Sequence, residues 1–405
     1  MKNNTLFLQF FCPRLFLLVF LFLAMNCVAA PPSNPSPKNR PTVGNSARSE
    51  RDPGPMAVKN PIDLRNLLRQ GRLPELEGLY DYLNSEPRPR TAEGQLLLIT
   101  MYRSLLAKGD MFPGFSMYCQ RVIPIVEKWV ADRPNSHLAK ALLGVFRLNQ
   151  AWDARGGGWA STVPPAGWAE FKKRLEEART ILERAWELDP SDPYPPAQLV
   201  TVAMGLQDDL SEIDRQVDRA LKADSRDISA LEGKLYYLEP KWHGSIRQLL
   251  DFGRECAKSG VAISPAPYLL LEAHKTCANY SRDLAYFKRP GVWEELKPAL
   301  ETLVQRFPRS PLFRNEYARM AFLAGDFGTA YQEVQRLGPE WFDYSMWQSL
   351  GDFKRVRDAA RTQAGLGIGE QSTDSHPENS GYATDTFILP VRFFPETMGD
   401  AGTSH

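Results

Sequence analysis

ARTILERAWELDP, Ala178 to Pro190, sets Ala178, Leu182 and Ala185 at spacings of four and three, with Pro190 five residues beyond. Those spacings put three apolar side chains on one stripe of a helix, and proline cannot continue the helix. The stretch therefore reads as an amphipathic helix that stops and hands over to a new element. The same figure returns as Val122, Val126, Trp129, Pro134 and as Leu296, Leu300, Leu303, Pro308. Without the proline it returns as Leu76, Tyr80, Leu83, as Ile213, Val217, Ala220 and as Ala330, Val334, Leu337.

The first residues of the six copies, in chain order, are 46, 56, 35, 83 and 34 positions apart. The step of 83 is a little over twice 35 and leaves room for a helix pair around Ser245 to Ser259. A helical hairpin with one uncovered stripe must stack on neighbours to bury it. The expectation is an all-α fold, an alpha-solenoid of about seven or eight antiparallel helical hairpins over residues 56–358.

The last copy carries its first helix as well, in Tyr317, Ala318 and Ala321, the turn Gly325, Asp326, Phe327, and then Ala330. At these residues the chain resembles tetratricopeptide repeats, which implies helix-turn-helix units whose first helices line a concave, protein-binding face. A second resemblance rests on AWDARGGG (Ala151 to Gly158), LERAWELDP (Leu182 to Pro190) and PKWHGS (Pro240 to Ser245). Together they look like a bacterial family described as domain of unknown function 4034, from about Leu64 to Leu337. That resemblance implies a bacterial origin and the fold; it implies no activity.

Outside the repeats the composition changes. Lys2 and Arg14 precede an unbroken apolar run from Leu15 to Met25, followed by Val28, Ala29 and Ala30, the pattern of a signal peptide over residues 1–30. The eleven-residue run falls short of the roughly 20 residues that span a bilayer. An uncleaved anchor and a lipid anchor on Cys27 are the alternatives, and the first is the only membrane contact expected. Residues 31–55 are rich in proline and serine and read as a disordered linker. Residues 359–405 read as a disordered tail, with TFILPVRFF (Thr386 to Phe394) as a docked strand, a linear motif or a sticky patch.

The full chain has 49 basic and 48 acidic residues; without residues 1–30 it has 47 and 48. Such a balance does not advertise nucleic acid or an anionic membrane, so no nucleic acid is expected as a partner. Three cysteines follow the linker, Cys119, Cys256 and Cys277, an odd number that suggests no disulfide framework. For metal, His274 and Cys277 share a helix face, with Cys256 as the nearest third ligand. In a hairpin of helices near 245–259 and 265–280, Cys256 lies near the turn and Cys277 far from it. The axial offset is roughly 12 Å, too long for one ion, so neither metal nor cofactor is expected.

Candidate binding residues come from three places. RGGGWASTVPPAGW, Arg155 to Trp168, is a glycine-rich insertion without the lysine and hydroxyl of a phosphate loop. It reads as a surface connection or as a binding loop in which Arg155, Trp159 and Trp168 hold a ligand. Asn315 and Arg319, one turn apart on a first helix, are expected in the concave groove. Trp129 and Trp186 are assigned to the core, and Trp341 to Trp347 to an end cap.

KLYYLEPKWHGS, Lys234 to Ser245, looks chemical but reads as a corner. Pro240 ends one helix, and Ser245 with Gln248 forms a capping box for the next. Trp242 plugs the gap between hairpins, and His243, at the positive end of a helix dipole, prefers its neutral form. No G-x-S-x-G surrounds Ser245. The functional expectation is an exported scaffold that binds a protein or peptide. The alternative is an envelope hydrolase or lyase acting on cell-wall or carbohydrate material, with Trp159, Trp168 and His243 near a pocket.

Overall fold

The computed structural model describes residues 61–106, 115–158, 160–283, 285–337 and 350–365. Among them the regular structure is helical, with no strand and one isolated bridge between Arg90 and Leu96. In chain order the helices are α1 (Pro61–Arg69), α2 (Leu73–Asn84), α3 (Leu97–Leu106), α4 (Phe115–Asp132) and α5 (His137–Arg155). There follow α6 (Pro165–Leu188), α7 (Tyr194–Leu206), α8 (Leu210–Ala223), α9 (Ser229–Tyr237) and α10 (Ile246–Ala257). The last five are α11 (Tyr268–Ser281), α12 (Val292–Arg306), α13 (Pro311–Ala324), α14 (Phe327–Leu337) and α15 (Leu350–Gln363). The leader, the linker, the Trp341 to Trp347 cluster and TFILPVRFF lie outside the described residues. Helix α15 continues past position 358, where the repeat region was expected to end.

Neighbouring helices pack consecutively, the arrangement of an alpha-solenoid. Odd-numbered helices also meet one another, α1 with α3, α3 with α5, and so on to α9 with α11. The even-numbered helices are amphipathic, and their buried stripes are the apolar residues read from the spacing, such as Leu76, Tyr80, Leu83 in α2 and Ala178, Leu182, Ala185 in α6. Fully burying one such leucine contributes roughly 2 kcal/mol. Helix α10 repeats the figure as Leu249, Gly253, Cys256. Glycine holds the middle position because α11 crosses there: a Cβ on Gly253 would stand 3.0 Å from Cβ of Ala273 and 3.2 Å from Cα of Leu270.

Among the odd-numbered helices, α5, α7, α11 and α13 carry long buried runs, as helices of an inner layer must. Every residue from Tyr268 to Lys275 is buried, and so is every residue from Asn315 to Ala321. The even-numbered layer is joined along its outer side by charge. Glu183 of α6 accepts from Arg219 of α8 at 2.7 Å, Glu295 of α12 accepts from Arg254 of α10 at 2.6 Å, and Lys297 of α12 donates to Asp326 at 2.9 Å.

Even helices hand over to odd ones through a recurring turn. The amides of Ser136, Asp192, Asp227 and Ser310 donate to the carbonyls of Arg133, Asp189, Asp224 and Phe307, three residues back, at 3.0 to 3.3 Å. Two of these turns share the sequence D-x-x-D. Their first aspartate, Asp189 or Asp224, accepts the amide two residues on, from Ser191 at 3.0 Å and Arg226 at 2.9 Å. Their second, Asp192 or Asp227, accepts an amide at the next helix start, from Tyr194 at 2.8 Å and Ser229 at 3.0 Å. Short acidic side chains do this because they reach back to the free N–H groups of a turn.

The connection from α2 to α3 is longer, Ser85 to Leu96, and it runs as a strap along the turns of later repeats in their order. Just ahead of it, at the end of α2, the Tyr80 hydroxyl and the Asn84 amide donate to Asp189 at 2.6 and 3.0 Å. Further on, Arg88 donates to the Ala223 carbonyl at 3.2 Å and Arg90 is hydrogen-bonded to Asp224. Finally Ser310 donates to Glu93 at 3.1 Å. Gly94, with φ of +82°, lies so close to the next turns that an added Cβ would stand 2.5 Å from the Phe307 ring. The Arg88 and Arg90 side chains are only 6% and 11% exposed.

Beside the strap lies a buried polar cluster. His137 Nδ1 is 2.7 Å from the Ala185 carbonyl, and its Nε2 is 2.7 Å from Asp192 Oδ2. Both ring nitrogens thus face acceptors, which favours the doubly protonated ring. Tyr102 donates to the same oxygen at 2.8 Å and stacks on Tyr194 at 4.1 Å. Burial alone would lower the His137 pKa, but the Asp192 hydrogen bond and charge together with the Ala185 carbonyl raise it above the ordinary histidine value.

Two outcomes follow from the strap and this cluster. Arg90→Ala removes the nearer of two strap guanidinium groups at the buried Asp224 carboxylate, leaving Arg88 at 3.8 Å, and should cost about 2 kcal/mol in urea unfolding; a loss under about 1 kcal/mol would make the strap a passive surface loop. For His137, a raised folded pKa means that its stabilisation is complete below about pH 6.5 and is lost as pH rises through the folded pKa. Thermal melts at successive pH values above 6.5 should therefore fall more steeply for the native chain than for Asp192→Asn, and parallel slopes would refute the pairing.

Candidate functional site

Three of the residues singled out in the sequence come together. Helix α5 extends to Arg155 and α6 begins at Pro165, so Trp168 belongs to a helix and the glycine-rich connection is shorter than the sequence suggested. The Arg155 guanidinium lies 5.4 Å from the Trp168 ring and 6.0 Å from the Trp152 ring. Trp152 meets Phe171 edge-on at 4.9 Å and Trp242 edge-on at 5.9 Å, and Trp242 meets Tyr236 at 5.6 Å. Arg155 is itself buried and donates to the carbonyls of Gly156 and Gly158 at 3.0 and 3.2 Å. It closes the C-terminus of α5, where a cation offsets the helix dipole. Burial lowers its pKa, with the Tyr236 hydroxyl opposing. Trp159 lies outside the described residues.

The corner at Lys234 to Ser245 is built as a turn folded back on α9. The amides of Trp242 and Gly244 donate to the Glu239 carbonyl at 2.9 and 3.4 Å. Gly244 has no room for a side chain, since a Cβ would collide with the Leu238 carbonyl. Ser245 accepts from the Gln248 amide at 3.3 Å and donates to the Gln248 side-chain oxygen at 2.9 Å. The return bond thus goes to the serine hydroxyl and not to its backbone amide. His243 is exposed and stacks on Tyr237 at 4.9 Å, and no carboxylate among the described residues hydrogen-bonds to it. Partial desolvation of the ring lowers its pKa, against the Met204 carbonyl.

Asn315 and Arg319, expected on an open groove, are interior residues at 0% and 4% exposure. Asn315 donates to the Pro311 carbonyl at 2.8 Å. Arg319 sits by Glu316, whose carboxylate accepts from the buried Lys275 at 2.8 Å; Lys275 also donates to Glu272 at 3.1 Å. Charged residues of α11 and α13 thus compensate one another inside the inner layer, where a partner does not reach them. The two buried thiols are inert for a similar reason: burial pushes Cys256 up to about 12 and Cys277 up to about 11. His274 is hydrogen-bonded to the Tyr286 hydroxyl at 2.9 Å. No group of three metal-ligating side chains occurs among the described residues.

Sequence reasoning missed a solvent-facing constellation. Trp129 is in the core as expected, with its indole N–H donating to Glu77 at 3.2 Å. Trp186, expected beside it in kind, is instead half-buried and covered by Arg219, whose guanidinium stands 3.9 Å from the ring centre. Around this stack α6 and α8 leave a recess of about 340 Å³, lined by Trp186, Pro190, Arg215, Asp218, Arg219 and Lys222. The signal in the sequence is the row Arg215, Arg219, Lys222, spaced four and three apart on one helix face.

No family model matches the chain, and no curated protein matches it significantly. No helix among the described residues is long and apolar enough to cross a membrane.

The two residues of the corner should respond differently to truncation. Trp242→Ala removes a ring wedged between Trp152 and Tyr236 and should cost about 3 kcal/mol. His243→Ala, at an exposed position, should stay within about 0.5 kcal/mol. Chemical denaturation of both variants checks this, and the opposite ranking would return His243 to the list of functional residues.

Proposed function

We propose that this chain is an exported helical-repeat scaffold that binds a protein or peptide partner and performs no chemical step of its own. The observation that carries the reading is the Trp186–Arg219 stack at the mouth of the recess between α6 and α8. Tryptophan and arginine, held rigid and partly desolvated, dominate the energetics of protein interfaces because they bring large contact area and fixed donors at little entropic cost. The filled inner layer supports the same location. With Asn315, Arg319 and their neighbours buried, the outer faces of the even-numbered helices are the surface such a partner meets.

Export to the periplasm or cell envelope, by the leader or with the leader retained as an anchor, belongs to this proposal, as does kinship with the bacterial family that AWDARGGG, LERAWELDP and PKWHGS resemble. In support of that kinship, Trp152 and Arg155 of the first stretch share one aromatic cluster with Trp242 of the third.

A photocrosslinking benzophenone residue in place of Lys222, expressed in the native host, tests the scaffold reading. A discrete protein adduct is expected from position 222 and not from position 247 on α10, where Arg247 is 91% exposed. No adduct, or the same adducts from both positions, would sink it.

A further inference from the structure

We infer that the recess between α6 and α8 recognises a carboxylate side chain on an acidic segment of the partner. This deepens the scaffold reading and rests on it. Arg219 is fixed on three sides. Its guanidinium carbon lies over Trp186, 3.9 Å from the ring centre, and its Nη1 donates to Glu183 at 2.7 Å and to Gln216 at 3.2 Å. Its Nε and Nη2 donate to no described residue, so one complete fork of the guanidinium is left open on a side chain that lines the recess.

Two parallel N–H donors at that spacing match the two oxygens of a carboxylate, and a fork already immobilised loses little further freedom when it is engaged. Lys222, one turn further along α8, is exposed and has no ion pair among the described residues. It supplies a second, unspent positive charge on the same rim. Arg215 is differently placed, since Glu212 occupies its Nε and Nη2 at 2.8 and 2.7 Å. Asp218 is the one carboxylate lining the recess, and it opposes an incoming anion. The lining therefore carries three cations and one anion, and one of those cations presents an unfilled two-donor edge.

The shape of the site sets the partner's chemistry further. The recess is half open to solvent, with Pro190 and Trp186 as its apolar part, which suits an extended peptide whose acidic side chain enters while its backbone stays on the rim. A carboxylate also terminates every polypeptide, so the two sources must be separated by experiment.

Fluorescence anisotropy with the full chain and dye-labelled peptides separates them. An acetylated, amidated octapeptide alternating glutamate and glycine should bind, and its glutamine counterpart should bind about tenfold more weakly. Arg219→Lys keeps the charge but loses the fork, and should weaken the glutamate peptide about tenfold. Lys222→Ala should weaken it a few-fold, whereas Asp218→Asn should tighten it. Melting temperatures of the variants show that the fold is retained, and if Arg219→Lys does not fold, the opposite signs expected at Lys222 and Asp218 still decide the matter.

Equal binding of the glutamate and glutamine peptides, or no tightening with Asp218→Asn, would overturn the assignment. So would stronger binding of a neutral peptide with a free carboxyl terminus, which would make the site a reader of chain ends. A discrete adduct from position 222 without glutamate-peptide binding removes the carboxylate specificity alone. Absence of both removes the scaffold reading as well.

Discussion

A carboxylate buried in a turn can serve two masters at once, because it has two oxygens and about four acceptor sites. Asp189 and Asp224 use one oxygen to cap their own turn and the other to receive a distant donor, Tyr80 and Asn84 at the end of α2 in one case and Arg90 of the strap in the other. The rest of the architecture depends on that sharing. Stacked hairpins alone fix only the relation of each repeat to its neighbour, whereas the end of α2 and the strap after it, bonded in turn to the turns at 189, 224 and 310, fix the relation among several of them together. Removing water from these carboxylates is costly unless every acceptor is filled, and the turn amides and strap donors fill them jointly.

This closure also explains where a ligand does not go. A solenoid that presents its first helices along a groove needs polar, exposed residues on them. Here the odd-numbered helices carry runs such as Tyr268 to Lys275 that are buried throughout, and the charges among them, Glu272, Lys275 and Glu316, are bonded to each other. Between α2 and α14, the even-numbered helices are the ones with a free polar side. Their charges are paired partly within a helix, as in Arg215 with Glu212, and partly across repeats, as in Arg254 with Glu295, whereas the Nε and Nη2 of Arg219 donate to no described residue.

Much of the fold was legible because burial of a helix on one side imposes spacings of four and three, and that figure survives in α2, α4, α6, α8, α12 and α14. It was not legible in α10, where the close crossing of α11 requires Gly253 at the middle position and erases the apolar signal. Asn315 and Arg319 were misplaced for a different reason. Their one-turn spacing states that they share a face, but whether that face meets water or another helix depends on closure of the whole molecule. Trp186 and Trp129 look alike in the sequence, yet Trp186 follows the stripe residue Ala185 and is rotated by about 100° from it. That rotation moves its ring to the flank of the stripe, within reach of α8.

The strap has a further effect on how the molecule comes apart. In an open array of repeats, terminal units fray independently, and stability is close to a sum of local terms. Here Glu93 and Ser310 are bonded across 217 positions of sequence, so α1 to α3 cannot peel away without breaking contacts to the turn before α13. Unfolding of the two ends becomes coupled, and contacts this distant raise contact order and slow the search for the native state. A protein assembled from local, repeating parts thereby acquires the all-or-none character of a globular domain.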